Sequence, residues 1–356
     1  MVPEIAQRIL EYITNPSHGD FNTLALEVFA YQYTNNLPYQ RYCNQLRKTP
    51  NTVATWEAIP PVSVSAFKET ELTCVPSTRY FLTTGTTQGA FHRGKHFLPY
   101  PEIYETALRT SFKHYVLPDR SHIAMLMLAP DPIAFPHSSL SYMLADVHKA
   151  FGEGETLWML QQDRIDIDGM LEKIAELGKR GIPVLLCGIL SAFMEIISVC
   201  VEKKYRFQLA SGSRIMDTGG FKGKTLPYSE VELRQYYQDI FHIPHSHHVR
   251  EFGMTEMYSQ FYTTALVSHY ENTALQEGYQ TPPWVRTRAL NPVTMEPCSQ
   301  GESGLLFHFD LANIPTISAL VTEDWGYTVP GGFRYEKRLL GAPKRGCSLS
   351  MELYAS

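Results

Sequence analysis

No run of eighteen apolar residues occurs in the 356-residue sequence, so no segment qualifies as a membrane-spanning helix. Residues 1–14 mix charged and apolar side chains and lack the apolar core of a secretory signal. Basic residues do not cluster. The 31 Lys and Arg are outnumbered by 36 Asp and Glu, giving a formal charge of -5, which argues against a nucleic-acid partner. Cysteine is sparse and scattered. Cys43, Cys74, Cys187, Cys200, Cys298 and Cys347 include no C-x-x-C pair, and they read as reduced thiols of a cytoplasmic protein. There is no internal repeat, no low-complexity tract and no G-x-S-x-G nucleophile elbow, because Ser211-Gly212-Ser213 lacks the leading glycine. A Walker loop is also missing. The segment Thr218 to Thr225 has threonine where the first glycine belongs, and Leu226-Pro227 separates it from the next helix.

Hydrophobic residues make up 44% of the chain and charged residues 19%, enough for a substantial core. Apolar periodicity predicts helices in the first 65 residues, with Ile5, Ile9, Leu10 and Ile13 on one face and Phe21, Leu24, Val28 and Phe29 continuing in a second segment. Short apolar runs at 123–128, 156–160 and 183–187 predict buried strands, and they alternate with helical patterns at 166–180 and 191–201. Ser229 and Glu232 form a capping-box pattern at the head of a helix over 230–239. Further strands are expected at 248–252 and 316–322. Alternating strands and helices predict an α/β fold. Three segments are expected: a helical N-terminal part over 1–66, a core over 67–330 and a short C-terminal tail over 331–356.

Three punctuated stretches stand out. "YFLTTGTTQG" at 80–89 runs an apolar strand into a Thr/Gly turn, which is either a phosphate-binding nest or a polar hairpin loop. "REFGMTE" at 250–256 places a carboxylate just past a strand end, either to hold a hard cation or to start a helix capped by Thr255. "LVTEDWG" at 320–326 places Asp324 between an apolar run and a turn, either to accept the hydroxyls of a ribose or as ordinary turn chemistry. The histidines of "FHIPHSHH" lack metal-site spacing, and His247 and His248 should point to opposite faces.

The order of these motifs resembles that of the adenylate-forming superfamily. "SAFKETEL", "TGGFKGK" at 218–224, "FGMTEMYSQFY" at 252–262, "DLANIPTISALVTEDWG" at 310–326 and "RGCSL" at 345–349 resemble one branch, the LuxE-like acyl-protein synthetases. The likeness runs from about Tyr31 to Leu349. It implies helix-flanked sheets of the superfamily's N-terminal domain, with the C-terminal domain and its catalytic lysine reduced to a short tail. It also implies ATP and Mg²⁺ as cofactors. By resemblance, Thr83, Thr84, Gly85, Thr86, Thr87 and Gly89 cradle phosphates, although Gln88 interrupts the usual Thr-Thr-Gly ending. Gly219 and Gly220 lie beside adenine, with Lys222 or Lys224 as a possible added cation. Gly253, Met254 and Thr255 line the adenylate, Glu256 holds Mg²⁺ and Asp324 binds ribose. Cys347, among the cations of Lys344-Arg345-Gly346, takes the acyl group as a thioester. The implied reaction joins a carboxylic acid, a fatty acid by the resemblance, to AMP and passes the acyl group to Cys347 or to a partner such as an acyl reductase. An aryl or short-chain acid, or a non-catalytic acyl- or nucleotide-binding subunit, are the alternatives.

Overall fold

The computed structural model describes residues 3–83, 93–154, 157–161, 164–219 and 228–339. The chain divides into two compact units that interleave along the sequence. One comprises 1–110, 254–260 and 280 onward, and the other 111–253 with 261–279.

The second unit is built on parallel strands. Leu157–Gln161, Ala124–Pro130, Val184–Ile189, Arg214–Thr218 and His248–Phe252 lie side by side in that order. Antiparallel Arg164–Ile165 and Phe261–Tyr262 flank them. Parallel neighbours need long crossovers, which here contain the helices Ser139–Phe151, Ile167–Arg180, Leu190–Glu202 and Glu230–Phe241. Met170, Ile174, Phe193, Ile197, Tyr237 and Ile240 from these helices share one buried cluster with Leu126, Leu186 and Ile215 from the strands. Helix Glu230–Phe241 starts with the expected capping box, Ser229 and Glu232 each receiving the other's backbone N–H. Strand order reverses between Ala124–Pro130 and Val184–Ile189. There Gly188 lies so close to Leu128 that a Cβ would come within 2.1 Å of its carbonyl oxygen.

The first unit is helical at its start, with Glu4–Thr14, Phe21–Asn35 and Leu37–Gln45. Asp20 and Asn36 cap the second and third helices. Antiparallel strands Val285–Leu290, Gly304–Asp310, Ala319–Val329 and Gly332–Arg338 follow, and Val62–Ser63 pairs in parallel with the third. Phe21 packs edge-on to Trp56 and Phe309, which holds the helices against this sheet. Tyr80–Leu82 and Lys95–Phe97 pair antiparallel as a separate two-stranded sheet.

The α/β expectation therefore holds. The strand expected over 316–322 instead occupies Ala319–Val329. Thr316 and Ser318 are consumed by a buried polar network, while Asp324 and Gly326 continue the strand by pairing with the next one. Asp324 thus lies within a strand rather than ahead of a turn. Among the described residues, no helix is long and apolar enough to cross a membrane.

Candidate active site

The "FGMTE" stretch leaves strand His248–Phe252 and forms a tight turn, closed by the Met257 N–H donating to the Met254 carbonyl (3.1 Å). No helix begins at Thr255; the next is Ala265–Glu271. The turn buries the Glu256 side chain. Burial raises its carboxyl to about 7, opposed by its own backbone N–H and by the charges of Arg338 and Lys68. Asn313, itself fully buried, donates to the Glu256 carbonyl (2.9 Å) and accepts from the Tyr258 N–H (2.7 Å). Asp310 accepts from the backbone N–H and hydroxyl of Ser259 (3.0 and 2.8 Å).

Asp324 faces Arg338 across the antiparallel pair. Its carboxyl is buried and accepts no hydrogen bond among the described residues. Burial raises it to about 6, with Arg338 opposing the rise and Glu323 adding to it. The Arg338 guanidinium donates to Glu323 (3.0 Å) and acts electrostatically on Asp324 and Glu256 as well. A bulge follows between Trp325 and Gly326, where a Cβ on Gly326 would lie 2.0 Å from the Arg334 carbonyl oxygen. Asp324 thus lies opposite Arg338 in the strand register, and the charge of the same arginine acts on Glu256.

Thr83 follows strand Tyr80–Leu82. Its N–H donates to the Gly94 carbonyl (2.9 Å) and its hydroxyl accepts from the Gly94 N–H (2.8 Å), which extends the pairing with Lys95–Phe97 by one residue. Gly94 in turn presses against the backbone of Phe67 and Lys68. Thr84, Gly85, Thr86, Thr87, Gly89, Gly220, Lys222, Lys224 and Cys347 lie outside the described residues. Met254 and Thr255 are half-buried in the Glu256 turn, and Gly253 is exposed at its entry.

In the second unit, Gly219 follows strand Arg214–Thr218 with φ 78°, a conformation that favours glycine. Gly219 and Gly253 end neighbouring parallel strands whose register pairs Thr218 with Glu251. The Thr218 hydroxyl donates to Glu251, and burial raises that carboxyl to about 7. Beneath them, Asp217 is wholly buried. Burial alone would raise its pKa, but His248 (2.6 Å) and Arg250 (3.2 Å) hold it at about 2. His247 turns instead to Ser246 and Tyr270 (3.0 and 3.2 Å), so the two histidines diverge as expected. No cluster of three metal-ligating side chains occurs among the described residues.

Lys68 and Arg338 are the site residues the sequence reading did not single out. Lys68 lay in plain view within "SAFKETEL". Arg338 carried no local signal, because only the hairpin register brings it opposite Asp324. The described cysteines are all free. Burial raises Cys43 and Cys74 to about 12, Cys200 to about 11 and Cys187 further, which keeps these thiols protonated and unreactive.

The model of the LuxE acyl-protein synthetases matches residues 6–352. The chain belongs to this family. Among its relatives, the long-chain-fatty-acid--luciferin-component ligase of Aliivibrio fischeri is 22% identical over 96% of this chain and 92% of its own length. The Vibrio harveyi protein of the same name is 24% identical, over 91% and 85%. Solved structures share the fold. An open conformation of 2-hydroxyisobutyryl-CoA ligase in complex with 2-HIB-AMP and CoA aligns with a TM-score of 0.62 at 13% identity, covering 88% of this chain and 72% of that one. ATP-bound MatB from Rhodopseudomonas palustris aligns at 0.52 with 12% identity, over 73% and 47%. This member of the LuxE acyl-protein synthetase family thus shares its fold with these structures.

Proposed function

We propose that the protein activates a carboxylic acid, a long-chain fatty acid by the names of its relatives, with ATP and passes the acyl group to a thiol. A carboxylate oxygen attacks the α-phosphorus, the bond to the bridging oxygen breaks and pyrophosphate leaves. A thiolate then attacks the acyl carbonyl and AMP leaves. Cys347 is the proposed acceptor, followed by an acyl-accepting partner protein such as a reductase.

The observation that carries this reading is the strand register that sets Asp324 opposite Arg338, with the charge of Arg338 acting also on buried Glu256 of the same unit. Asp324 is a buried acceptor without a donor among the described residues, as a residue that receives ribose hydroxyls should be. Glu256 fits a Mg²⁺ that takes its remaining oxygens from phosphate, since it stands as a buried carboxylate with no lysine or arginine hydrogen-bonded to it among the described residues. When bound, the ion would offset the repulsion between two anionic reactants. Arg338 and Lys68 place further positive charge beside the same turn. The Thr/Gly segment from Thr83 to Gly89 would hold the phosphates, Gly219 and Gly220 would lie along the base, and Gly253, Met254 and Thr255 would line the adenylate.

Exchange of labelled pyrophosphate into ATP, driven by a panel of carboxylic acids, tests the reading. Fatty acids should support exchange, and Asp324→Ala and Glu256→Ala should each lower it about a hundredfold or more. Full exchange by both variants would overturn the assignment.

A further inference from the structure

We infer that Tyr258 and Asn313 are positioning residues that hold the Glu256 turn and the strand pair Tyr80–Leu82 with Lys95–Phe97 as one body; the catalytic consequence rests on the function proposed above. The sequence resemblance assigned both segments to one nucleotide but pointed to no residue that joins them. In the structure, a continuous set of buried hydrogen bonds does so.

Asn313 spends its amide on the turn. Its Nδ2 donates to the carbonyls of Glu256 and Ile317 (2.9 and 3.0 Å), and its Oδ1 accepts from the Tyr258 N–H (2.7 Å). The backbone on both sides of Met257 is therefore fixed by one side chain. Tyr258, fully buried, then reaches across to the strand pair, where its hydroxyl donates to the Phe97 carbonyl (2.7 Å) in strand Lys95–Phe97. The preceding residue of that strand is tied to the same network. His96 Nε2 shares a hydrogen bond with the Thr316 hydroxyl (2.9 Å), and the His96 and Tyr258 rings meet edge to face at 5.1 Å. Gln32 closes the far side by donating to the Asn313 carbonyl and to the Ser318 hydroxyl (both 3.0 Å).

These residues are nearly or wholly inaccessible, so none of the bonds is easily exchanged for one to water. A buried network of this kind has few alternative arrangements. Displacing the strand pair should drag the turn with it, and Glu256 would be presented to a metal–nucleotide complex only when the strand pair is seated.

Tyr258→Phe keeps the ring and removes the hydroxyl. Asn313→Asp keeps the acceptor and removes the donor to Glu256. Ser318→Ala loses an equally buried bond at the far side and serves as the control. Hydrogen exchange on the full chain without nucleotide should quicken about tenfold in Tyr258→Phe at 254–260 and at 95–97 together, and in Asn313→Asp chiefly at 254–260. Both variants should raise the KM for ATP with Mg²⁺ about tenfold, with the conservative Tyr258→Phe staying near wild-type melting temperature. Ser318→Ala should lower the melting temperature without moving KM. Loosening of 254–260 in Tyr258→Phe while 95–97 stays protected would overturn the inference, as would an equal KM change in Ser318→Ala. Coupled loosening in a protein that shows no ATP–pyrophosphate exchange would support the tie and defeat the proposed function instead.

Discussion

Burial raises the Asp324 carboxyl from 3.8 to about 6 while Arg338 pulls the other way, so the folded protein holds this proton more tightly than the unfolded chain. The stabilising contribution of such a group is full below pH 3.8 and is lost as pH rises through about 6. Asp324→Asn removes the ionising group. Its stability relative to wild type should rise by about 1 kcal/mol between pH 5 and pH 8, measured by urea unfolding at each pH. Parallel stability curves would show that the carboxyl is solvated after all. The motifs drew attention to Glu256 and Asp324, and the structure buries both carboxyls. Arg338 was not readable, because its importance comes from a cross-strand neighbour rather than from the residues beside it. Cys347 belongs to the residue scale too. Cys347→Ser should leave adenylation unchanged and abolish a hydroxylamine-sensitive acyl label on the protein, while the buried thiols Cys43, Cys187 and Cys200 and the half-buried Cys74 should take up none. A persistent label in Cys347→Ser would remove it as the acceptor.

The elements that were easiest to foresee are those whose sequence pattern and environment agree. Val184–Ile189 is a short apolar run because parallel strands are covered on both faces, and Glu230–Phe241 begins where Ser229 and Glu232 cap it. The strand over Ala319–Val329 was misplaced at its start because Thr316 and Ser318 look like strand residues in one dimension but answer to Gln32, His96 and Asn313 in three. Its later half needs Gly326 at the bulge. Gly326→Ala would force a methyl group against the Arg334 carbonyl, which backbone pairing leaves little room to move. The expected outcome is a loss of about 2 kcal/mol by chemical denaturation, together with weaker ATP binding, because Asp324 and Arg338 are fixed by the same hairpin. Unchanged stability would mean that the bulge is softer than its geometry implies.

At the scale of the whole molecule, the α/β class and the family likeness were legible, since both depend on patterns preserved along the chain. The division into two interleaved units was not. It depends on which distant residues bury one another, and Gln32 binding the backbone of Asn313 and Ile314 leaves no trace in either stretch taken alone.

The interleaving has a practical consequence for anyone who would dissect the protein. Residues 254–260 are grouped with the first unit although the chain on either side of them is grouped with the second. A fragment spanning 111–279 would carry away the strip that bears Glu256 and strand it without Asn313 and Asp310. Its complement would keep those two side chains without the Glu256, Tyr258 and Ser259 groups that they bind. No single cut in the gene separates the halves cleanly, so the loop and its anchors must be inherited together.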